Sequence, residues 1–386
     1  MKRSTDRVLT THAGRLDGPP EFRERGIAAF RSGGAAAAPL SESVLKGAIA
    51  WVVNQQTHAG IDVVSDGELG KIGFGLEYYG KRLSGLTARK VSPGEPAWMS
   101  LRTGERVEFA DFYKEMPWVN SPDRVVCVGP IKYIGEEAVQ RDIALFKGAL
   151  AEHNLKPHEV FMCVLAPGWL EHFFFNEYYA DDEQYLFALA DAYRHEYKAI
   201  VDAGFVLQID DPALPDTYDM IVPTPPIDEY RAFAKIRVEA LNHALQGLPE
   251  DRVRYHICWG SWHGPHTHDL PLEHVLDLML EVKAGAYSIE AANPRHEHEW
   301  KLWKQTRLPD GKILIPGVVS HATNVVEHPE LVADRIVRYA ELVGRENVIA
   351  GTDCGMGFRV HPQIAWAKLK ALADGAALAS RQLWGR

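Results

Sequence analysis

Cysteine is scarce in this 386-residue chain. Four are present, Cys127, Cys163, Cys258 and Cys354, too few for a disulfide scaffold of this size. Basic residues are outnumbered, 42 against 52 acidic, and the net charge of −10 argues against nucleic acid as a partner, since phosphate binding wants a basic face. No apolar run reaches the roughly 18 residues of a membrane span, and Met1 to Thr5 lead into no hydrophobic signal region. A soluble cytoplasmic protein is the expectation. No Gly-rich phosphate loop follows the first strand-like run, which counts against an open, doubly wound sheet. Internal repeats are absent, and the Gly/Ala-rich stretch 32–39 reads as a loop.

What the chain does have is apolar content, 46% of residues, enough to fill a full core at this length. Strand-like runs alternate with amphipathic helical ones. The runs fall at 9–14, 61–66, 125–131, 160–165, 205–210, 252–258, 286–290, 313–319 and 348–354. Ser41 opens a capped helix that Gly60 ends, and the spacing predicts further helices over 136–152, 182–203, 228–245, 272–284, 297–304, 329–343 and 362–378. Such alternation implies parallel strands joined by helical crossovers. Nine candidates are one more than a (β/α)8 TIM barrel needs, so one strand is expected outside it. The whole chain, 1–386, reads as a single barrel domain. Between 69 and 123 the periodicity fails, which marks an insertion after the second strand, either a lid or a subunit contact.

Chemistry concentrates at strand ends. Strand residues two apart share a face, so His256 and Cys258 project side by side. Glu290 and Cys354 end two further runs. In a barrel, the carboxyl ends of the strands converge on one rim, where active sites lie. One imidazole, two thiolates and a carboxylate suit tetrahedral zinc, whereas magnesium or calcium would want oxygen alone. Zinc bearing two thiolates is a weak acid toward water but well suited to keeping an incoming thiol deprotonated. Glu290, the harder ligand, would loosen to admit the substrate sulfur. The reading is therefore a zinc enzyme that activates a small thiol for attack on a small electrophile, with association into a homo-oligomer left open. His321, at the end of a strand, suits protonation of a leaving oxygen or nitrogen, an imidazole being near pKa ~6.5. Arg15 and Arg295 are candidates for an anionic substrate group. Trp259 and Trp262, with the patch Phe173, Phe174 and Phe175, would line an apolar pocket or pack beneath the loops. His263, His266 and His268 suit a solvated or gating loop better than a metal cluster. Cys127 and Cys163 read as small buried hydrophobes.

These residues carry a resemblance. The order His256-x-Cys258, Glu290 and Asp353-Cys354-Gly355 resembles the zinc set of the cobalamin-independent methionine synthase catalytic-domain family. Thr10-Thr11-His12, Asp66-Gly67-Glu68 and the stretch Gln208 to Leu214 are similar to other motifs of that family. Within it, the stretch Tyr255 to His266, together with Pro294 to Trp300 and Pro316 to His321, resembles the epoxyalkane:coenzyme M transferase branch. The resemblance implies a TIM barrel, bound Zn2+, and transfer of an alkyl group to a thiol such as coenzyme M. The alternative it implies is folate-dependent methyl transfer to homocysteine, in which Glu68 and Asp210 would hold the substrate amine. It also implies substrate contacts at Thr11, His12 and Trp259. Arg15 departs from the family, standing where a small polar residue is usual. The sequence Ala166-Pro167-Gly168-Trp169 departs from the family's pterin-site strand. A metal-free decarboxylase of related fold is the remaining competitor, disfavoured by the two thiolates.

Overall fold

The computed structural model describes residues 1–24, 41–71, 78–92, 103–115, 123–221 and 223–385. The stretch 32–39 and part of the insertion lie outside the described residues.

Eleven strands are described: β1 (Leu9–Thr10), β2 (Val63–Ser65), β3 (Leu86–Lys90), β4 (Asp123–Cys127), β5 (Glu159–Leu165), β6 (Phe174–Asn176), β7 (Val206–Asp210), β8 (Val253–His256), β9 (Ala286–Glu290), β10 (Ile313–Val319) and β11 (Ile349–Thr352). Eight of them form one all-parallel sheet in the order β1-β11-β10-β9-β8-β7-β5-β2. Its two end strands meet. Asp62 N–H donates to Thr10 O at 3.1 Å, Thr10 N–H donates to Asp62 Oδ2 at 2.9 Å, and the Thr11 hydroxyl donates to Val63 O at 3.0 Å. The sheet is thus closed into a TIM barrel, and this seam uses side chains where a longer β1 would use backbone. The ninth expected strand is β4. It stands outside the barrel, pairing antiparallel with β3 and parallel with β6.

Alternation along the barrel strands sorts side chains by layer. One set faces the helices: Met162 and Val164, Leu207 and Ile209, Tyr287 and Ile289 join the main core. The other set fills the barrel. Leu9, Ala286, Ile313, Ile315 and Ile349 form one apolar cluster, and Val63, Phe161, Cys163 and Val206 another, with Met1 packed on both. One step toward the carboxyl ends, this inward set turns polar: Ser65, Gln208, Arg254 and Ser288 are all buried. Burying these groups is tolerable only because they pair. Arg254, for example, donates to the Thr11 hydroxyl at 2.9 Å and to His12 O at 2.7 Å. The last inward step reaches Asp210, His256 and Glu290.

Most helix signals in the sequence match what forms; the helix expected over 272–284 is shortened to Leu276–Glu281 behind a 3-10 turn, and Glu297–Lys304 is a 3-10 helix. Ser41 caps Glu42–His58 through its hydroxyl. Gly60, at φ +90°, follows, and a Cβ there would stand 2.7 Å from that of Ala373. The insertion is less irregular than its sequence suggests. β3 belongs to it, and its short helices Thr103–Glu108 and Ala110–Glu115 lie against the loop after β8. Glu105, fully buried, accepts from Thr267 N–H and from the Tyr113 hydroxyl, and Tyr113 stacks on Trp262.

Candidate metal and substrate site

His256 closes β8, and Cys258 lies two residues beyond it, in the loop. Cys354 likewise sits past the end of β11, so strand pairing stops earlier than apolar patterning suggests. One ligating atom from each of His256, Cys258 and Cys354 lies within 4.8 Å of the others. The two sulfurs are 3.5 Å apart. His256 Nδ1 is paired with Ser288 Oγ at 3.0 Å, which leaves Nε2, buried and without a hydrogen bond, next to Cys354.

The two sulfurs are shifted in opposite directions. Contact with the Cys258 thiol holds Cys354 well below the usual thiol range, against the effect of burial. Cys258 is pushed well above it, by that contact and then by burial. An orphaned imidazole nitrogen and two cysteine sulfurs converging where His256 and Cys258 are buried and Cys354 is partly exposed fit a zinc ion by donor type. Glu290 stands beside this trio. It groups with His321 and Asp353, whose ligating atoms and its own lie within 4.8 Å of one another. Its Oε1 accepts from Trp259 N–H at 3.0 Å and its Oε2 from Asn293 Nδ2 at 2.8 Å.

His321 is fully buried, and neither ring nitrogen has a partner. Burial pushes its pKa below the ordinary histidine value, so it is neutral near pH 7. The sequence expectation of an unperturbed imidazole is corrected accordingly. Asp353, quoted from the sequence only as part of the Asp353-Cys354-Gly355 motif, was given no role of its own. Its Oδ1 accepts from the N–H groups of Ala291 and Ala292 at 2.7 and 2.9 Å, while Oδ2 has no partner.

A second polar group comprises Glu68, Cys163 and Asp210. Glu68 holds a left-handed backbone, φ 57°, in the turn after β2, with its N–H on Asp66 Oδ1. Gly14 lets the first loop pass over it: a Cβ there would stand 2.7 Å from Glu68 Oε1 and 3.2 Å from Cys163 Sγ. Asp210 is pushed up to about 7 by burial and then by the Glu68 charge. Cys163 is buried as expected, but beside these acids. Lys71, which sequence reading missed, is buried here too. Its ammonium lies 3.1 Å from Glu68 Oε2 and donates to Cys163 O at 2.6 Å. Its spacing, three residues after Glu68, was the available signal.

Other expected substrate contacts are engaged elsewhere. Thr11 belongs to the seam and to Arg254, and His12 pairs through Nε2 with Gln56 Oε1 at 2.7 Å. Trp259 is wholly buried, donating from Nε1 to Leu270 O at 2.7 Å, so it packs under the loop. Arg295 reaches Thr267 O at 2.9 Å. Arg15 lies half-buried over the Phe358 ring, near Lys71 O. Phe174 and Phe175 belong to β6 and pair with β4. His263, His266 and His268 do not converge: they pair with His321 O, Asp269 and Glu108 respectively.

Residues 175–377, just over half the chain, match the family model described as "Cobalamin-independent synthase, Catalytic domain". The match contains all four candidate metal residues, His321 and Asp210, but not Glu68. The chain is 24% identical to the methionine synthase of Thermococcus kodakarensis over 86% of its own length and 82% of that protein's. It is 26% identical to that of Sulfolobus acidocaldarius, over 97% and 93%. Among solved structures, a B12-independent methionine synthase from Shewanella sp. W3-18-1 in complex with selenomethionine shares the fold at TM-score 0.74. That likeness spans 98% of this chain and 100% of that one, at 20% identity. A putative B12-independent methionine synthase from Listeria monocytogenes superposes at TM-score 0.65, covering 98% of this chain and 99% of that one at 18% identity.

Proposed function

The chain belongs to the cobalamin-independent synthase catalytic-domain family, and from that premise we propose that it transfers a methyl group to the sulfur of a homocysteine-like thiol. His256, Cys258 and Cys354 would hold a zinc ion, with Glu290 as the fourth and most readily displaced ligand. When bound, zinc would keep the substrate thiol deprotonated at neutral pH. The observation that carries this reading is the convergence of His256 Nε2 with the two sulfurs at the barrel rim.

The chain's own residues supply the rest. Asp210 and Glu68 offer carboxylates to the thiol's ammonium group. His321, neutral and unpartnered, can take up the proton that the thiol releases and return it to the atom that leaves the methyl carbon. Burial of these groups keeps water from competing as a nucleophile.

A second reading is favoured by one observation. The Lys71 ammonium stands against Glu68, as a substrate ammonium otherwise would. That arrangement supports a thiol without an amine, such as coenzyme M, which the branch resemblance pairs with a small epoxide as the electrophile. One experiment separates the readings: loss of free thiol is followed for homocysteine with methyl-folate and for coenzyme M with 1,2-epoxypropane. Consumption in the first pair alone supports methyl transfer, and in the second alone the epoxide reading. Consumption in neither rejects both.

A further inference from the structure

Behind the metal residues lies a chain of four buried ionisable groups that the proposed chemistry does not use. His296 Nε2 is 2.9 Å from Asp269 Oδ2, and its Nδ1 is 3.0 Å from Glu299 Oε2. The same Asp269 oxygen is 2.6 Å from His266 Nδ1, whose Nε2 faces Trp262 O at 3.3 Å. Side-chain exposure is 3% for His296 and Asp269, 4% for His266 and 7% for Glu299. A ring nitrogen can approach a carboxylate oxygen this closely only as a donor. His296 meets a carboxyl group at both nitrogens, an arrangement that favours the imidazolium form. Charges alternate along the chain, which allows so many ions to be buried together.

His296 also lies flat on the Trp259 indole, with ring centres 3.5 Å apart and planes within 14°. Trp259 is the residue after Cys258, and its backbone N–H is the donor that holds Glu290 Oε1. Its indole N–H is tied to Leu270 O, next to Asp269. Glu299 Oε1, in turn, accepts from Leu272 N–H at 2.8 Å. The chain therefore pins the loop after β8 to the loop after β9, one carrying Cys258 and the other starting at Glu290.

We propose that His296, held between Asp269 and Glu299, is a positioning residue for the metal centre, setting the Glu290 carboxylate through Trp259. The inference rests on the reading of Glu290 as a zinc ligand. It assigns His296 no contact with substrate. Outer partners of metal ligands commonly change metal affinity by about 10–100-fold when removed.

The test uses the zinc-loaded protein and the rate of zinc release to a chromogenic chelator, with thermal stability measured alongside. His296→Asn removes the cation and the stacked ring. Glu299→Gln is the milder change, since glutamine still accepts from Leu272 N–H. Glu297→Gln is the control: that acid, in the same segment, pairs with Arg335 away from Trp259. Release should quicken about ten-fold or more in His296→Asn, less in Glu299→Gln, and not at all in Glu297→Gln, even where that control lowers stability. Release at the wild-type rate from both chain variants overturns the inference, as does equal quickening in the control. A wild-type protein that takes up no zinc overturns the zinc reading itself, and this inference falls with it.

Discussion

Lys71 Nζ lies 3.1 Å from Oε2 of Glu68, at a site where neither side chain is more than 8% exposed. The pair takes up much of the charge that Glu68 would offer to a substrate ammonium. Lys71→Met should release it. Homocysteine should then gain on 4-mercaptobutanoate, which is homocysteine without its amine, by about ten-fold in kcat/KM, or about 1.4 kcal/mol. The variant should also be less stable, because a buried carboxylate loses its partner. An unchanged ratio would mean that Glu68 does not see the amine position. The wild-type ratio separates the two functional readings: preference for homocysteine favours methyl transfer as in the relatives, and preference for the amine-free thiol favours the epoxide reading.

In the proposed chemistry His321 carries the proton. His321→Asn should lower kcat by about 10²–10⁴ while leaving zinc content and thiol affinity near wild type, since no hydrogen bond of the ring is lost. Equal loss of thiol binding and turnover would instead make His321 part of the thiol site.

Stability should fall on the alkaline side through His296. Burial alone would lower its pKa, but hydrogen bonds to Asp269 and Glu299 raise it to about 9. A folded pKa above the unfolded value of ~6.5 means a contribution fully present below that pH and lost as pH rises through about 9. Urea denaturation from pH 6 to 10 should show that decline. Glu299→Gln should move it to lower pH, whereas an unmoved decline would assign it to another group.

The insertion is fastened to the loop after β8 by Glu105, a buried acid that accepts from Thr267 N–H and the Tyr113 hydroxyl. Glu105→Ala should leave those donors unsatisfied, at a cost of about 1–3 kcal/mol. Limited proteolysis within 103–115 should quicken, with barrel unfolding little changed. Cleavage at the wild-type rate would show that the docking does not depend on Glu105.

Much of this architecture is legible in the residues. Apolar runs alternating with capped helices give the barrel strands and the spare strand β4, because the side of each barrel strand that faces the helices must be apolar to pack. The candidate metal residues are legible too, since imidazole and thiols at strand ends have few other uses together. Their partners are harder to read. Lys71 looks like a surface lysine until the fold turns it against Glu68, and Asp353 looks like a spacer until β9 brings Ala291 and Ala292 beneath it. Trp259 and Arg295 show the opposite difficulty. Aromatic and basic residues in a rim loop suggest substrate contacts, but here the loop must pack and tie itself before it can hold Cys258. The histidines after Cys258 suggest either metal or solvent, and only the path of the next loop, which brings His296 and Glu299 alongside Asp269, shows that one of them is part of a buried ion chain.

The account stands on a metal that gains a sulfur when substrate arrives. X-ray absorption at the zinc edge measures this directly, on the zinc-loaded protein with and without thiol. The expected result is a site with two sulfur neighbours at about 2.3 Å, from Cys258 and Cys354, that gains a third when thiol is added. A zinc environment with no sulfur, or one that thiol leaves unchanged, would contradict it.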